Sequence, residues 1–262
     1  MPIYTHGHHE SVLRSHRSRT AANSAAYLVP HLRAGLTLLD VGCGEGTITR
    51  DLAGLVAPGR VTAIEPEAET LALARDAVDA GNVRFETADV HALPYADRTF
   101  DVVHAHQVLQ HVHDPVGALR EMRRVCAPGG VVAARDADYA AMTWYPQIPA
   151  LDEWLSVYQR TARHNHGEPD AGRRLVAWAR AAGFTEVEAT ASVWCFATPE
   201  DRVRWSGNWA QRILESAIAE QAVSYGYATR ADLARISAGW REWGEAEDGW
   251  FAILHGEILA RP

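Results

Sequence analysis

The residues Leu36 to Thr49, LTLLDVGCGEGTIT, join a short apolar run to a glycine-rich loop and then to a helical pattern. The apolar run at 36–41 is typical of a buried parallel strand, and Gly42, Gly44 and Gly46 follow it at alternate positions. Glycines at such a turn let the backbone adopt positive φ and let a ligand approach the main chain closely. The stretch therefore predicts the strand, loop and helix of a nucleotide-binding unit.

The loop also indicates the charge of its ligand. Its spacing is G-x-G-x-G rather than the G-x-G-x-x-G of dinucleotide-binding enzymes, and the strand before it ends in an acid, Asp40. A carboxylate at this point repels a pyrophosphate and attracts a ligand that carries an ammonium and a sulfonium group. Both features argue against a nicotinamide-dependent oxidoreductase.

The DVGCGEG segment at residues 40–46 resembles the first motif of the class I S-adenosylmethionine-dependent methyltransferases. The LREMRRVCAPGG segment at 119–130 also matches a pattern of that family. The resemblance implies an α/β Rossmann-like three-layer sandwich with a seven-stranded mixed sheet, in the order 3-2-1-4-5-7-6, and helical lid insertions. It implies S-adenosylmethionine as cofactor and S-adenosylhomocysteine as product, with Asp40, Gly42, Cys43 and Gly44 at the cofactor.

A second apolar run, VTAIE at 61–65, predicts another strand that ends in an acid, Glu65. A carboxylate about 20 residues beyond a glycine loop is well placed to accept hydrogen bonds from both ribose hydroxyls. Pro66 opens the helical pattern that follows and is expected beside the same part of the cofactor. The alternative for Glu65 is a surface acid at a strand end.

The third and fourth predicted strands, at 83–88 and 99–104, end at the same edge of the sheet. The resemblance implies that Asp89 accepts a hydrogen bond from the adenine amino group and that the Val90 backbone meets a ring nitrogen. Ligands of open α/β sheets bind beyond the carboxyl ends of the strands, so His106 and Gln107 are expected at the boundary between cofactor and acceptor. By the same resemblance, residues 104–107 flank the methionine part of the cofactor.

Residues 1–33 precede the first strand, and the pattern at 11–32 predicts a helix. The resemblance implies that this arm covers the cofactor, with Tyr4 and His9 lining the pocket. Arg14 and Arg19 are candidates to pair with the cofactor's carboxylate, although a solvated helix face is the favoured explanation. The histidines at positions 6, 8 and 9 fit a metal tract or a solvated arm, and no cysteine or carboxylate at fixed spacing supports the metal.

Methyl transfer from a sulfonium is an in-line displacement on carbon, so positioning and water exclusion carry most of the catalysis. A base is needed only where the acceptor must lose a proton, and histidine suits that role near neutral pH. The candidate bases are His106, His111 and His166. The alternatives that the sequence leaves open are His164, Asp136, Asp138 and Tyr139.

The chain divides into a cofactor-covering arm (1–33), a cofactor-binding core (34–146), lid helices (147–183) and the last strands (184–262) with a helical insertion at 199–247. Four of the nine tryptophans fall within that insertion. They fit an aromatic-walled acceptor cavity or helices that pack on a sheet edge, and the sequence does not decide between the two.

The composition excludes several classes of protein. A hydrophobic fraction of 47% and a charged fraction of 22% are ordinary for a soluble domain, and the net charge of −8 argues against a nucleic-acid partner. The three cysteines form no C-x-x-C pair, so no zinc site is indicated, and we expect no metal. No apolar run is long enough to span a membrane. We expect a cytoplasmic monomer or homodimer with a small-molecule acceptor.

These features predict transfer of a methyl group from S-adenosylmethionine to an oxygen or nitrogen atom of a small molecule, such as a secondary metabolite. Because the sequence fixes no base, one alternative stays open. It is an S-adenosylmethionine-binding protein of the same fold with a non-methylating or regulatory role.

Overall fold

Strands alternate with helices along the first half of the chain, except that β4 follows β3 directly, in the computed structural model, which describes residue 5 and residues 17–262. The strands are β1 (Leu38–Val41), β2 (Val61–Glu65), β3 (Val83–Thr87), β4 (Phe100–His106), β5 (Cys126–Ala137), β6 (Thr143–Tyr145), β7 (Glu186–Phe196) and β8 (Trp250–Arg261). The helices are α1 (Ala21–Ser24), α2 (Thr47–Val56), α3 (Ala68–Ala77), α4 (Pro115–Val125), α5 (Pro149–His164), α6 (Leu175–Ala181), α7 (Pro199–Glu215), α8 (Ala217–Ser224) and α9 (Arg230–Glu245).

Strands β1 to β5 are parallel and lie in the order β3-β2-β1-β4-β5. Strand β8 runs antiparallel between β5 and β7, so the last two strands in space are the seventh and the sixth of the predicted sheet. The predicted order is confirmed. The predicted number is wrong by one, because the short strand β6, which the sequence did not predict, pairs with the first residues of β8.

The predicted helix at 11–32 is also corrected where the structure describes it. From residue 17 onward it is replaced by the four-residue helix α1 and a 3₁₀ turn at Val29–His31. Pro30 lies inside that turn and has no N–H to donate, so a continuous helix cannot pass through it. Thr20 caps α1 by accepting a hydrogen bond from the Asn23 N–H at 3.2 Å.

Alternating side chains of the central strands supply two apolar layers. Leu39 and Val103 lie in one layer with residues of α4 and α6, whereas Leu38 and Val102 lie in the other with residues of α2. This period of two is the signature of a strand whose two faces are both covered. The three-layer arrangement expected from the sequence is therefore present.

A third apolar cluster joins α5, α7 and α9 to the start of β8. Trp154, Trp240, Trp243 and Phe251 are fully buried in it. The Trp154 and Trp240 rings meet edge to face with centroids 4.9 Å apart, a favoured arrangement of aromatic rings. These tryptophans therefore pack helices on the sheet. None of the helices within residues 17–262 combines the length and apolar character that a membrane crossing requires.

The glycine loop between β1 and α2 is built from positive φ angles. Gly42 and Gly44 have φ of +68° and +55°, and Gly46, at +79°, is the residue from which α2 starts. The Gly42 N–H also donates to the Ile64 carbonyl at 2.8 Å, which ties the loop to the end of β2. A side chain at Gly42 would meet Val108, because an added Cβ would lie 2.5 Å from its Cγ2 atom.

Replacing Gly42 by alanine is expected to destabilise the fold more than replacing Gly44. Positive φ costs each variant about 1–2 kcal/mol. Overpacking against Val108 adds about 1–3 kcal/mol at Gly42 only, because no atom of the described residues lies within 4 Å of an added Cβ at Gly44. Urea unfolding of the two variants measures their free energies of unfolding. Equal losses would mean that Val108 moves aside at no cost.

Candidate cofactor and acceptor site

The acid at the end of β1 is held by the protein beneath the glycine loop. Asp40 is 3% exposed, and its two oxygens accept from the Thr49 hydroxyl at 2.6 Å and contact the His104 Nδ1 atom at 2.8 Å. His104 is fully buried and is the register partner of Asp40 on β4. Asp40 still lines the cavity described below, but His104 does not. The expectation that His104 flanks the methionine part of the cofactor is therefore replaced by a role in holding Asp40.

Glu65 lies at the end of β2 and faces the same loop. Its Oε2 atom accepts a hydrogen bond from the Gly44 N–H at 3.1 Å. Burial raises the pKa of the Glu65 carboxyl from 4.5 to about 7, although backbone hydrogen bonds from Gly44 and Glu67 oppose the shift. Burial likewise raises the pKa of the neighbouring Cys43 thiol, so that thiol stays protonated. Pro66 lines the cavity beside Glu65.

The loop after β3 supplies another acid at the cavity. Asp89 is largely exposed, and its Oδ1 atom accepts from the backbone N–H and contacts the ring Nδ1 of His91, at 2.9 and 2.8 Å. Burial opposes ionisation of Asp89, but the hydrogen bonds from His91 outweigh it and lower the pKa of the carboxyl. Val90, which is buried, lines the cavity next to Asp89.

His106 is the polar group at the far end of β4. It is 6% exposed, lines the cavity, and neither ring nitrogen has a hydrogen-bond partner among the described residues. Burial first, and then the charges of Arg19 and Arg135, hold the pKa of His106 well below its usual range. The ring is therefore a neutral imidazole that can accept a proton.

Gln107, next along the chain, is part of a hydrogen-bond chain that reaches the arm. Its Oε1 atom accepts from Arg19 at 2.7 Å, and its Nε2 atom lies 3.0 Å from the Nε2 atom of His255. Because an amide nitrogen only donates, His255 accepts through Nε2 and donates through Nδ1 to the Ile253 carbonyl at 3.2 Å. Gln107 thus positions Arg19 at the cavity edge.

His111 also lines the cavity, but its ring is already engaged. The Gln110 Oε1 atom accepts from the Ala137 N–H, so the Gln110 Nε2 atom donates to His111 Nε2 at 2.9 Å. Burial first, and then the charge of Arg19, lower the pKa of His111 to about 3. Since that hydrogen bond uses the Nε2 lone pair, His111 is a poorer candidate base than His106.

The other candidate bases lie elsewhere or are held by protein groups. His166 is exposed at the end of α5 and does not line the cavity, so the structure does not support its predicted role. His164 stacks on Tyr225 at 3.7 Å, also outside the cavity. Asp136 is buried and accepts from the Gln110 N–H, and Asp138 forms a two-bond pair with Arg173. Tyr139 lines the cavity and stacks on Tyr158 at 4.0 Å.

Three predicted residues of the arm, Tyr4, His9 and Arg14, lie outside the described residues. His104 is paired with Asp40, and the His113 ring lies against His91 in a tilted arrangement with centroids 4.4 Å apart, so these two histidines do not converge. Within the part of the chain that the structure describes, no three histidine, cysteine or acidic side chains form a group suited to a metal ion.

One cavity of about 800 Å³ connects these parts, running from the glycine loop past His106 to the helical insertion. Its volume is in the upper part of the range of ligand pockets. Three tryptophans line it, namely Trp194, Trp205 and Trp209. Within the insertion, Trp205 and Trp209 line the cavity, and Trp209 also packs on Trp154 in the core. No described residue at 147–183 lines the cavity, so the helices predicted as a lid do not cover it.

Sequence reasoning missed the contribution of α7. Six of its residues line the cavity: Asp201, Arg204, Trp205, Asn208, Trp209 and Arg212. Their spacing is that of one helix face, which is a signal present in the sequence. The opposite residues of α7 include the buried Ser206 and Ile213, so the pattern alone does not tell which face meets a ligand.

A family model described as a methyltransferase domain matches residues 39–134. The chain is 35% identical to an uncharacterised methyltransferase of Schizosaccharomyces pombe, over 98% of this chain and 95% of that protein. It is 30% identical to a protein of Aspergillus luteorubrus named "Probable methyltransferase ltbC", over 98% and 96%.

Among solved structures, a phosphoethanolamine N-methyltransferase of Haemonchus contortus, in complex with phosphomonomethylethanolamine and S-adenosylhomocysteine, has a similar fold. Its TM-score is 0.56 at 17% identity, over 88% of this chain and 50% of that one. The fold, the glycine loop and the 35% identity over nearly the whole chain all point to the same family. The chain belongs to the class I S-adenosylmethionine-dependent methyltransferases.

Proposed function

We propose that this methyltransferase transfers the methyl group to an oxygen or nitrogen atom of a small molecule of the kind made in secondary metabolism. The observation that carries the proposal is the continuous cavity, which joins the glycine loop to an aromatic wall and has the neutral ring of His106 between them. A cavity of this size suits a small acceptor.

The residues at the loop fit the cofactor. Space is open beside Gly44, the Glu65 carboxylate faces the loop, and Asp89 and Val90 lie at the end of β3. In our proposal Glu65 accepts hydrogen bonds from the ribose hydroxyls, and Asp89 and Val90 hold the adenine. Asp40, through Thr49 and His104, keeps the loop in place. When bound, S-adenosylmethionine supplies an activated methyl group on sulfur.

His106 is the proton acceptor in this proposal. A hydroxyl or N–H group that gains a methyl group loses its proton, and a ring nitrogen of His106 can take it because the imidazole is neutral and neither ring nitrogen has a partner among the described residues. Tyr139, Met142 and the tryptophans line the rest of the acceptor half and exclude water.

The proposal is tested by incubating the protein with S-adenosylmethionine and two acceptor panels, one of phenols and one of amines. Mass spectrometry then measures S-adenosylhomocysteine and the methylated products. We expect products methylated on oxygen or nitrogen. Methylation confined to carbon, or release of S-adenosylhomocysteine with neither panel, contradicts the proposal.

The affinity for S-adenosylhomocysteine is expected to rise about tenfold from pH 6 to pH 8. The pKa of Glu65 is raised to about 7, so the carboxyl is mostly protonated below that pH and mostly ionised above it, and the ionised form accepts the ribose hydrogen bonds more strongly. Calorimetric titration at both pH values measures the change.

The Glu65→Gln variant should bind more weakly and lose this part of the pH dependence. Glu69→Gln, which changes an exposed acid in the first turn of α3 outside the cavity, is the matched control and should behave like the parent protein. If Glu65→Gln keeps the full pH dependence, Glu65 is not the group that binds the ribose.

Replacing His106 by glutamine is expected to lower kcat about 10²- to 10⁴-fold, which is the usual contribution of a general base. Affinity for S-adenosylhomocysteine should change little, so calorimetry separates loss of the base from loss of the cofactor site. His166→Asn is the control, because His166 is exposed and has a positive φ that asparagine tolerates. Full activity in His106→Gln would mean that His106 is not the general base.

A further inference from the structure

One face of α7 forms a wall of the cavity, far beyond the glycine loop in sequence. It lies beyond residues 39–134, the part that matches the methyltransferase domain model. A wall outside the shared core is a natural place for residues that distinguish one acceptor from another. The chemistry of that face therefore bears on which molecule is methylated.

The apolar part of this wall is aromatic. Trp205 stacks on Phe196 with ring centroids 4.3 Å apart and planes 6° from parallel, and both line the cavity. Trp209 is next along the face, with the guanidinium of Arg212 4.6 Å from its ring centroid. Rigid, flat walls of this kind favour a planar ring, because such a ring buries most surface when it stacks on them.

Asn208 lies on the same helix face, between these two tryptophans in sequence. Its side chain is 2% exposed, it lines the cavity, and its Oδ1 atom has no hydrogen-bond partner among the described residues. On the same face, Asp201 is already paired with Arg204 at 2.6 Å. A buried acceptor atom left unsatisfied is costly, so a ligand that supplies a donor gains the energy that the protein alone does not recover.

We infer that Asn208 determines acceptor specificity by accepting a hydrogen bond, through Oδ1, from a hydroxyl or amino group on a planar aromatic acceptor that stacks against Trp205. This inference rests on the proposed function. The acceptor then carries two polar groups: one at His106, which is methylated, and a second at Asn208, which orients the ring. His106 and Asn208 are both nine-tenths buried, so each discriminates strongly against an apolar substituent.

The test uses two probes that differ at one position, 2,7-dihydroxynaphthalene and 7-methoxy-2-naphthol, with the protein saturated by S-adenosylhomocysteine. Both keep one hydroxyl, but only the first has a second donor. We expect the parent protein to bind the diol about five- to tenfold more tightly, the effect of one neutral hydrogen bond. Calorimetry measures both affinities, and quenching of tryptophan fluorescence gives a second reading.

In Asn208→Leu the preference for the diol should disappear, so that the two probes bind about equally. The affinity for 7-methoxy-2-naphthol should stay near its value in the parent protein. Asn208→Ala, which is smaller and also removes the acceptor, is the second variant should leucine perturb folding. Gln211→Leu removes an amide from the same helix outside the cavity lining and should retain the full preference. Unchanged affinity for S-adenosylhomocysteine verifies that each variant is folded.

Three outcomes overturn the inference: no diol preference in the parent protein, a preference that survives in both Asn208 variants, or no binding of either naphthalene to the saturated protein. Each of these outcomes can be distinguished from a failure of the proposed function. Methylation of phenols or amines without an Asn208-dependent preference leaves the function and removes the specificity residue. A diol preference that depends on Asn208, found without any methyl transfer, leaves Asn208 as a ligand-binding residue and removes the proposed function.

Discussion

The buried pairing of Asp40 with His104 and Thr49 is the constraint on which the site depends. It joins two neighbouring parallel strands to the first turns of α2, and so fixes the point where the chain turns through three glycines. A carboxylate removed from water needs hydrogen bonds to every side, and here side chains from β4 and α2 supply them. Because the Asp40 contacts hold the start of the loop, the loop residues keep a fixed position along the cavity, where a ligand can meet them.

Much of the cofactor half could be predicted because its signals are local. A strand end, a glycine spacing and an acid after the next strand lie within 26 residues, from Asp40 to Glu65, and the parallel register brings them to one edge. His104 shows the limit. Its distance along the chain from Asp40 is 64 residues, and its inward direction follows from a register that no local pattern reveals.

The acceptor half was less predictable for a physical reason. Helix α7 is buried on more than one side, so its apolar period does not separate the face that packs on Trp154 from the face that meets the cavity. Trp209 does both, because it touches Trp154 edge to face at 4.6 Å and also lines the cavity. The place of His166 depends on where α5 ends, a boundary that sequence patterns locate poorly.

The cofactor end and the acceptor end of the cavity carry charges of opposite sign, and this difference bears on the proposed methyl transfer. Asp40, Glu65 and Asp89 surround the loop, whereas the charges of Arg19 and Arg135 act on the neutral ring of His106. A base whose pKa is lowered accepts a proton readily only from an acidic donor. A phenolic hydroxyl, whose pKa is about 10 in the tyrosine side chain, is a far better match than an aliphatic alcohol. Nearby positive charge also stabilises the phenolate as it forms. Under the proposed function, the low basicity of His106 and the aromatic wall of α7 therefore favour the same acceptors, because each suits a flat ring with an acidic hydroxyl.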